Sequence, residues 1–143
     1  MCKDNQRIME KMTHPSFADF CRENNICLAI LFGSRVTGCA RDESDFDLAV
    51  LLDTNYPKDV LPRGKHKRTL LHNFSAYFSS SRIDLVVLND ASSFLVYNVT
   101  QMGKVLYEAN PGEFAQLASL AIRQYSDGQL FREVEKKYLS RQA

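Results

Sequence analysis

The chain has almost no net charge: 18 lysines and arginines stand against 17 aspartates and glutamates, leaving +1 over 143 residues. No overall field draws such a chain to nucleic acid or to an anionic membrane, so no direct nucleic-acid binding is expected. Cysteine is sparse and unpatterned. Cys2, Cys21, Cys27 and Cys39 form no CxxC pair and no metal-finger spacing, which predicts reduced thiols in a cytosolic protein. His66 and His72 have no cysteine or carboxylate at zinc spacing. No apolar run is long enough to span a bilayer and no leader segment is visible, so a cytoplasmic protein without membrane attachment is expected. Internal repeats and low-complexity tracts are also missing. What remains is one domain's length of ordinary composition, able to bury a core without disulfides.

Apolar patterning divides that length. "MCKDNQRIMEKMT" is polar and reads as a fraying or loose helix. "HPSFADFCRENN" reads as a helix opened by His14-Pro15, with Phe17, Phe20 and Cys21 on one face. "ICLAILF" (Ile26 to Phe32) is continuously apolar, a buried strand that Gly33 ends. "SRVTGCA" is about one helical turn. "DFDLAVLL" (Asp45 to Leu52) is a second strand, with Phe46, Leu48 and Val50 opposite Asp45, Asp47 and Ala49. "TNYPKDVLPRGKHK" reads as a polar connection and "RTLLHNFSAYFSS" as a helix. "RIDLVVLN" (Arg82 to Asn89) is a third strand, apolar enough to be central. "ASSFLVYNVTQMG" is a helix stopped by Gly103, and "KVLYE" a short edge strand. From Pro111 onward the pattern is helical, with Gly128 as a kink or break. The alternation predicts an α/β (α+β) fold, a small mixed sheet with helices mainly on one face and a helical C-terminal tail. The whole chain, 1–143, reads as a single domain with a core of about 14–108 and a tail of about 111–143.

Within this frame the acidic residues are out of place. Asp45 and Asp47 share a strand face, with Cα atoms roughly 6–7 Å apart. Asp84 sits inside the third strand, where an aspartate needs a partner. Two carboxylates about 5 Å apart repel by roughly 3 kcal/mol at an effective dielectric of 20. A third joining them calls for cations. Oxygen-only ligands suit Mg²⁺, and two bridged Mg²⁺ ions activate an attacking oxygen and stabilise a leaving one. Gly33 lets the backbone approach a ligand closely, and Ser34 opens a helical turn with free amides and a hydroxyl for phosphate. Gly-Ser after a strand is commonly just a turn. The joint pattern of four fixed positions arises by chance on the order of 10⁻³ times in a chain of this length. A nucleoside triphosphate site is the reading.

Gly33-Ser34, ten residues, then Asp45-Phe46-Asp47, with the later Asp84, resembles the nucleotidyltransferase fold of the DNA polymerase beta superfamily. "LFGSR…G", "SDFDLAV", "RIDLVVLN" and "GKVLYE" with a helical tail are similar to its minimal nucleotidyltransferase (MNT) branch, the antitoxins that pair with HEPN ribonuclease toxins. The likeness spans roughly Ile26 to Tyr125. It implies that Gly33 and Ser34 hold the β- and γ-phosphates of ATP, and that Asp45 and Asp47 ligate both Mg²⁺ ions. It also implies that Asp84 binds the catalytic metal and helps deprotonate the acceptor. The reaction implied is transfer of AMP to a tyrosine of a HEPN toxin, in a hetero-oligomer, silencing its RNase. "GSRVTG" departs from the family's Gly-Ser-Arg-Ala-Arg-Gly: Arg35 is present, but Thr37 stands at the second arginine position.

Arg35 and Arg41 flank the site and are candidates for neutralising phosphate. "PRGKHKR" (Pro62 to Arg68) is a candidate contact for triphosphate or partner, or a solvated helix start. Arg7 and His14 match by count the arginine–histidine spacing of the toxins' RNase motif, but Pro15 disfavours a helix carrying both, and the match is read as coincidence. Two other functions compete. Nucleotidyl transfer to a small hydroxylated molecule such as an aminoglycoside lacks a second domain to enclose it. Inhibition by binding alone leaves three clustered acids without a purpose.

Overall fold

A computed structural model describes residues 3–38, 40–53 and 60–142. Cys2, Cys39 and residues 54–59 of the polar connection lie outside the described residues, as do the side chains of Pro62, Leu130, Phe131 and Val134. The elements run α1 (Lys3–Thr13), α2 (Pro15–Glu23), β1 (Ile26–Phe32), α3 (Ser34–Thr37), β2 (Phe46–Leu52) and α4 (Val60–Phe78). Then come β3 (Ile83–Val87), a 3₁₀ turn (Leu88–Asp90), α5 (Ser93–Met102), β4 (Lys104–Glu108) and α6 (Glu113–Gln142). No helix among the described residues is long and apolar enough to cross a membrane.

The four strands form one mixed sheet in the order β3-β2-β1-β4. β1 pairs antiparallel with β2 and β4, and β2 pairs parallel with β3. β4 is an edge strand, as its length suggests. β3 is the other edge, not the central strand that its apolar run suggests. Ile83, Leu85 and Val87 are buried on one face, and burial on one face is enough to select an apolar row. β3 also ends at Val87, two residues early. Asn89 takes over as a strand mimic: its Oδ1 accepts from Leu52 N at 2.9 Å and its Nδ2 donates to Leu52 O at 3.0 Å.

Alternation along the strands splits the core in two. Ala29, Leu31, Phe46, Leu48, Val50, Ile83 and Leu85 face α1, α2 and α4, where Phe17, Phe20, Phe74, Tyr77 and Phe78 form a continuous aromatic cluster. Ile30 and Ala49 face α5 and α6 through Val96, Val99 and Ala121. Three helices thus share one face, as expected, while the other is covered as well, which a mainly one-sided picture underweights. α1 is no fraying end: Ile8 and Met12 are fully buried and Met9 packs partly buried against the same core, which suffices to dock an otherwise polar helix. His14 caps α2, its Nδ1 accepting from Ser16 N at 3.1 Å. α4 begins earlier than expected and absorbs the whole basic stretch, Gly64 included. α6 passes through Gly128 without a break. Gly103 stops α5 for lack of space, because a Cβ there would overlap Val99 O and Ile30 Cγ2.

Candidate active site

One end of the sheet collects the polar residues. β1 ends there at Phe32, and β2 and β3 begin there. Phe32 is the register partner of Asp47, and Asp47 is the register partner of Asp84. Asp45 precedes β2 on the same face. The three carboxylates therefore share one face and one end of the sheet, with Asp45 and Asp84 exposed and Asp47 half-buried. The partner that Asp84 needs is another acid. Asp47 and Asp84 face each other across the parallel β2–β3 pair. Partial burial, then the charges of Asp84 and Asp45, push the Asp47 carboxyl above the ordinary carboxylate value. Two ionised carboxylates in this contact repel, and either a shared proton or a cation relieves them.

Gly33 is tied to the same cluster. It takes φ +76°, and a Cβ there would overlap Asp47 Oδ2 and lie 3.0 Å from its Cγ. Only glycine lets the β1 backbone lie against that carboxylate. The fixed spacing between Gly33-Ser34 and Asp-Phe-Asp is thus a direct contact. Gly33 O accepts from Val36 N and Thr37 N, closing the single turn of α3 that begins at Ser34.

Arg35 is placed elsewhere. Its guanidinium lies 4.3 Å from the Phe46 ring, on the face opposite the carboxylates, and donates to the carbonyls of Asp42 and Ser44. It braces the loop before β2 in place of the phosphate contact expected of it. Two further residues, which the sequence did not single out, reach the same carbonyls. Asn5, fully buried in α1, donates from Nδ2 to Asp42 O at 3.0 Å. Arg82 donates from NH1 to Asn5 Oδ1 at 2.7 Å, and from NH2 to Ser44 O at 2.7 Å and to Asp42 O. Arg82 had a signal, a cation directly before a buried strand. Asn5 had none inside a polar segment.

The basic stretch lies at the other end of the sheet. Arg63 pairs at 2.7 Å with Asp90, beyond the end of β3, so this stretch does not face a phosphate held at Gly33. Arg7 donates to Ser79 O and His14 caps α2. Cys21 is buried, which pushes its thiol up to about 12. Cys27 is also raised, by burial first and then by Glu113 and Asp53. Among the described residues no three His, Cys, Asp or Glu side chains already stand as a metal cage.

The chain is similar to known proteins along most of this frame. Over 99 residues it is 34% identical to a protein adenylyltransferase MntA of Aphanizomenon flos-aquae, covering 61% of this chain and 60% of that protein. The chain therefore matches less than two thirds of that relative's length. A crystal structure of a toxin–antitoxin with AMP-PNP aligns with TM-score 0.64 and 26% identity, over 96% of this chain and 98% of its own. A chain from a complex of tri-AMPylated Shewanella oneidensis HEPN toxin with MNT antitoxin shares the fold, with TM-score 0.62 and 23% identity over 92% of this chain and 98% of its own. The sequence model of polymerase beta, nucleotidyltransferase, matches residues 17–112. That span holds the Gly33 turn and all three carboxylates, and the chain belongs to the polymerase beta nucleotidyltransferase family.

Proposed function

We propose that this protein is an antitoxin adenylyltransferase, transferring AMP from ATP to a tyrosine of a HEPN ribonuclease toxin. The observation that carries the reading is Asp47, packed on Gly33, paired in register with Asp84 and two residues from Asp45. The reading takes residues 1–143 as one catalytic domain working in the cytoplasm, in a complex with its partner. Its relatives include a protein adenylyltransferase, a toxin–antitoxin bound to AMP-PNP, and an MNT antitoxin with an AMPylated toxin.

The donor set fits Mg²⁺. It is all oxygen, it concentrates like charge, and two of its members are open to solvent, so phosphate oxygens and water complete the coordination that the protein alone does not. Asp45, Asp47 and Asp84 would hold the ions. Bound Mg²⁺ would supply charge stabilisation on the phosphates and a more acidic acceptor hydroxyl. Gly33 and Ser34 present backbone and hydroxyl to the β- and γ-phosphates. Asp84, exposed on the edge strand, is placed to accept the phenolic proton. The tyrosine oxygen forms a bond to the α-phosphorus, the bond from that phosphorus to the bridging oxygen breaks, and pyrophosphate leaves.

The test compares toxin RNase activity after incubation with the protein, with and without ATP and Mg²⁺. Silencing that requires ATP supports the reading. Equal silencing without ATP assigns the effect to binding alone and overturns it.

A further inference from the structure

Asp45 and the start of β2 follow directly from a loop, and the loop is held from outside the site. Residues Arg41 to Ser44 form a turn closed by Ser44 N to Arg41 O at 3.0 Å and Arg41 N to Ser44 Oγ at 2.9 Å. Its two outward carbonyls, Asp42 and Ser44, would otherwise leave the segment before Asp45 free to shift. Arg82, Asn5 and Arg35 all donate to them. Arg82 also accepts at its own carbonyl from Phe46 N, at 2.8 Å, so one residue grips both sides of the start of β2. Phe46 is buried, with the Arg35 and Arg82 guanidinium carbons 4.3 and 6.0 Å from its ring centroid. The Nε of each guanidinium is buried without a hydrogen-bond partner, a cost met only because the NH₂ groups are used here.

We infer that Asn5 and Arg82 are positioning residues that fix Asp45 and Asp47 for divalent metal, so that the N-terminal helix α1 is part of the active site's support. The inference rests on the metal reading above. The fork of Arg82 reaches Asn5 through one nitrogen and both carbonyls through the other. A lysine keeps the charge but cannot satisfy three acceptors in that plane. Partners that orient metal ligands typically change metal affinity by 10–100-fold when removed.

The experiment titrates the full chain with Mn²⁺ in the presence of AMP-PNP, following free Mn²⁺ by electron paramagnetic resonance. Wild type, Asn5→Ala, Arg82→Lys and the double variant Asp45→Asn/Asp47→Asn are compared, and amide exchange is recorded for each. Arg82→Lys is expected to weaken Mn²⁺ by about 10-fold, at the low end of that range, and Asn5→Ala, which removes one neutral hydrogen bond to the loop, by about 3-fold, below it. Exchange should rise in residues 41–47 and stay unchanged in β1 and β4. Wild-type Mn²⁺ affinity in both variants, with the aspartate double variant unable to bind, overturns the positioning inference and leaves the metal reading intact. Failure of the wild type itself to bind, or full binding by the double variant, overturns the metal reading and the inference with it. Exchange that rises throughout the sheet marks a merely structural role and also overturns it.

Discussion

The two ends of β2 treat polar groups in opposite ways. At the tail, polar groups meet complements: Asn89 bonds Leu52 in both directions, and Arg63 pairs with Asp90. At the head, Asp45, Asp47 and Asp84 are brought together with like charge facing like. Neutral pairing minimises energy, so the tail looks built for stability. The head concentrates unfavourable charge on a well-ordered strand pair, as sites that bind cations and phosphate do. The apolar frame is common to both ends. Among the described residues, only the head is held by donors from three separate elements, α1, α3 and the residue before β3.

The sharpest way to break this contrast is to neutralise the head. Asp45→Asn with Asp47→Asn should lower AMP transfer by on the order of 10³-fold, since metal-derived charge stabilisation is worth several kcal/mol. The same variant should melt no lower than wild type in the absence of metal, because repulsion is removed. Labelled ATP and a thermal melt check the two halves. Next in size is Gly33→Val, which drives a branched side chain into Asp47 from a φ of +76°. It should cost about 1–3 kcal/mol of stability by strain at that φ and weaken AMP-PNP binding more than Ser34→Ala. Denaturant unfolding and calorimetric titration measure these effects. At the tail, Asn89→Ala removes two hydrogen bonds and should cost about 1–3 kcal/mol while transfer persists in the folded protein.

Acidity sharpens the comparison further. A folded-state Asp47 carboxyl raised above its unfolded value means that the native protein binds its proton more tightly than the unfolded chain. Metal-free stability from this group is therefore greatest at acid pH and is lost as pH rises through the folded value toward neutrality. The gain in melting temperature on adding Mg²⁺ with AMP-PNP should be largest at neutral pH and shrink toward the ordinary carboxylate range. Smallest of all, Arg63→Ala breaks a half-exposed pair at the tail. It should change stability by less than about 1 kcal/mol and leave transfer unchanged.

The head was largely legible in the sequence because its signals are contrasts. An aspartate inside an apolar row stands out, and so does a glycine at a strand end. Parallel pairing of β2 with β3 then turned three separate contrasts into one cluster. What was hidden lacked contrast. Asn5 is one polar residue among many, and its burial depends on Ile8 and Met12 docking a helix whose average composition is polar. Arg35 looked like a phosphate ligand by proximity in sequence, yet α3 turns it to the Phe46 face. The edge position of β3 was masked because burial on one face and partial cover of Val86 on the other give the same apolar run as a central strand.

The central claim is that the head of β2 transfers AMP to a protein. A HEPN-domain ribonuclease of the proposed partner class, purified apart, is incubated with the full chain, ATP and Mg²⁺, and its intact mass is recorded. The account predicts mass gains in whole AMP units, located on tyrosine, absent when Asp45→Asn/Asp47→Asn replaces the wild type. An unmodified partner whose RNase is nevertheless silenced would contradict it.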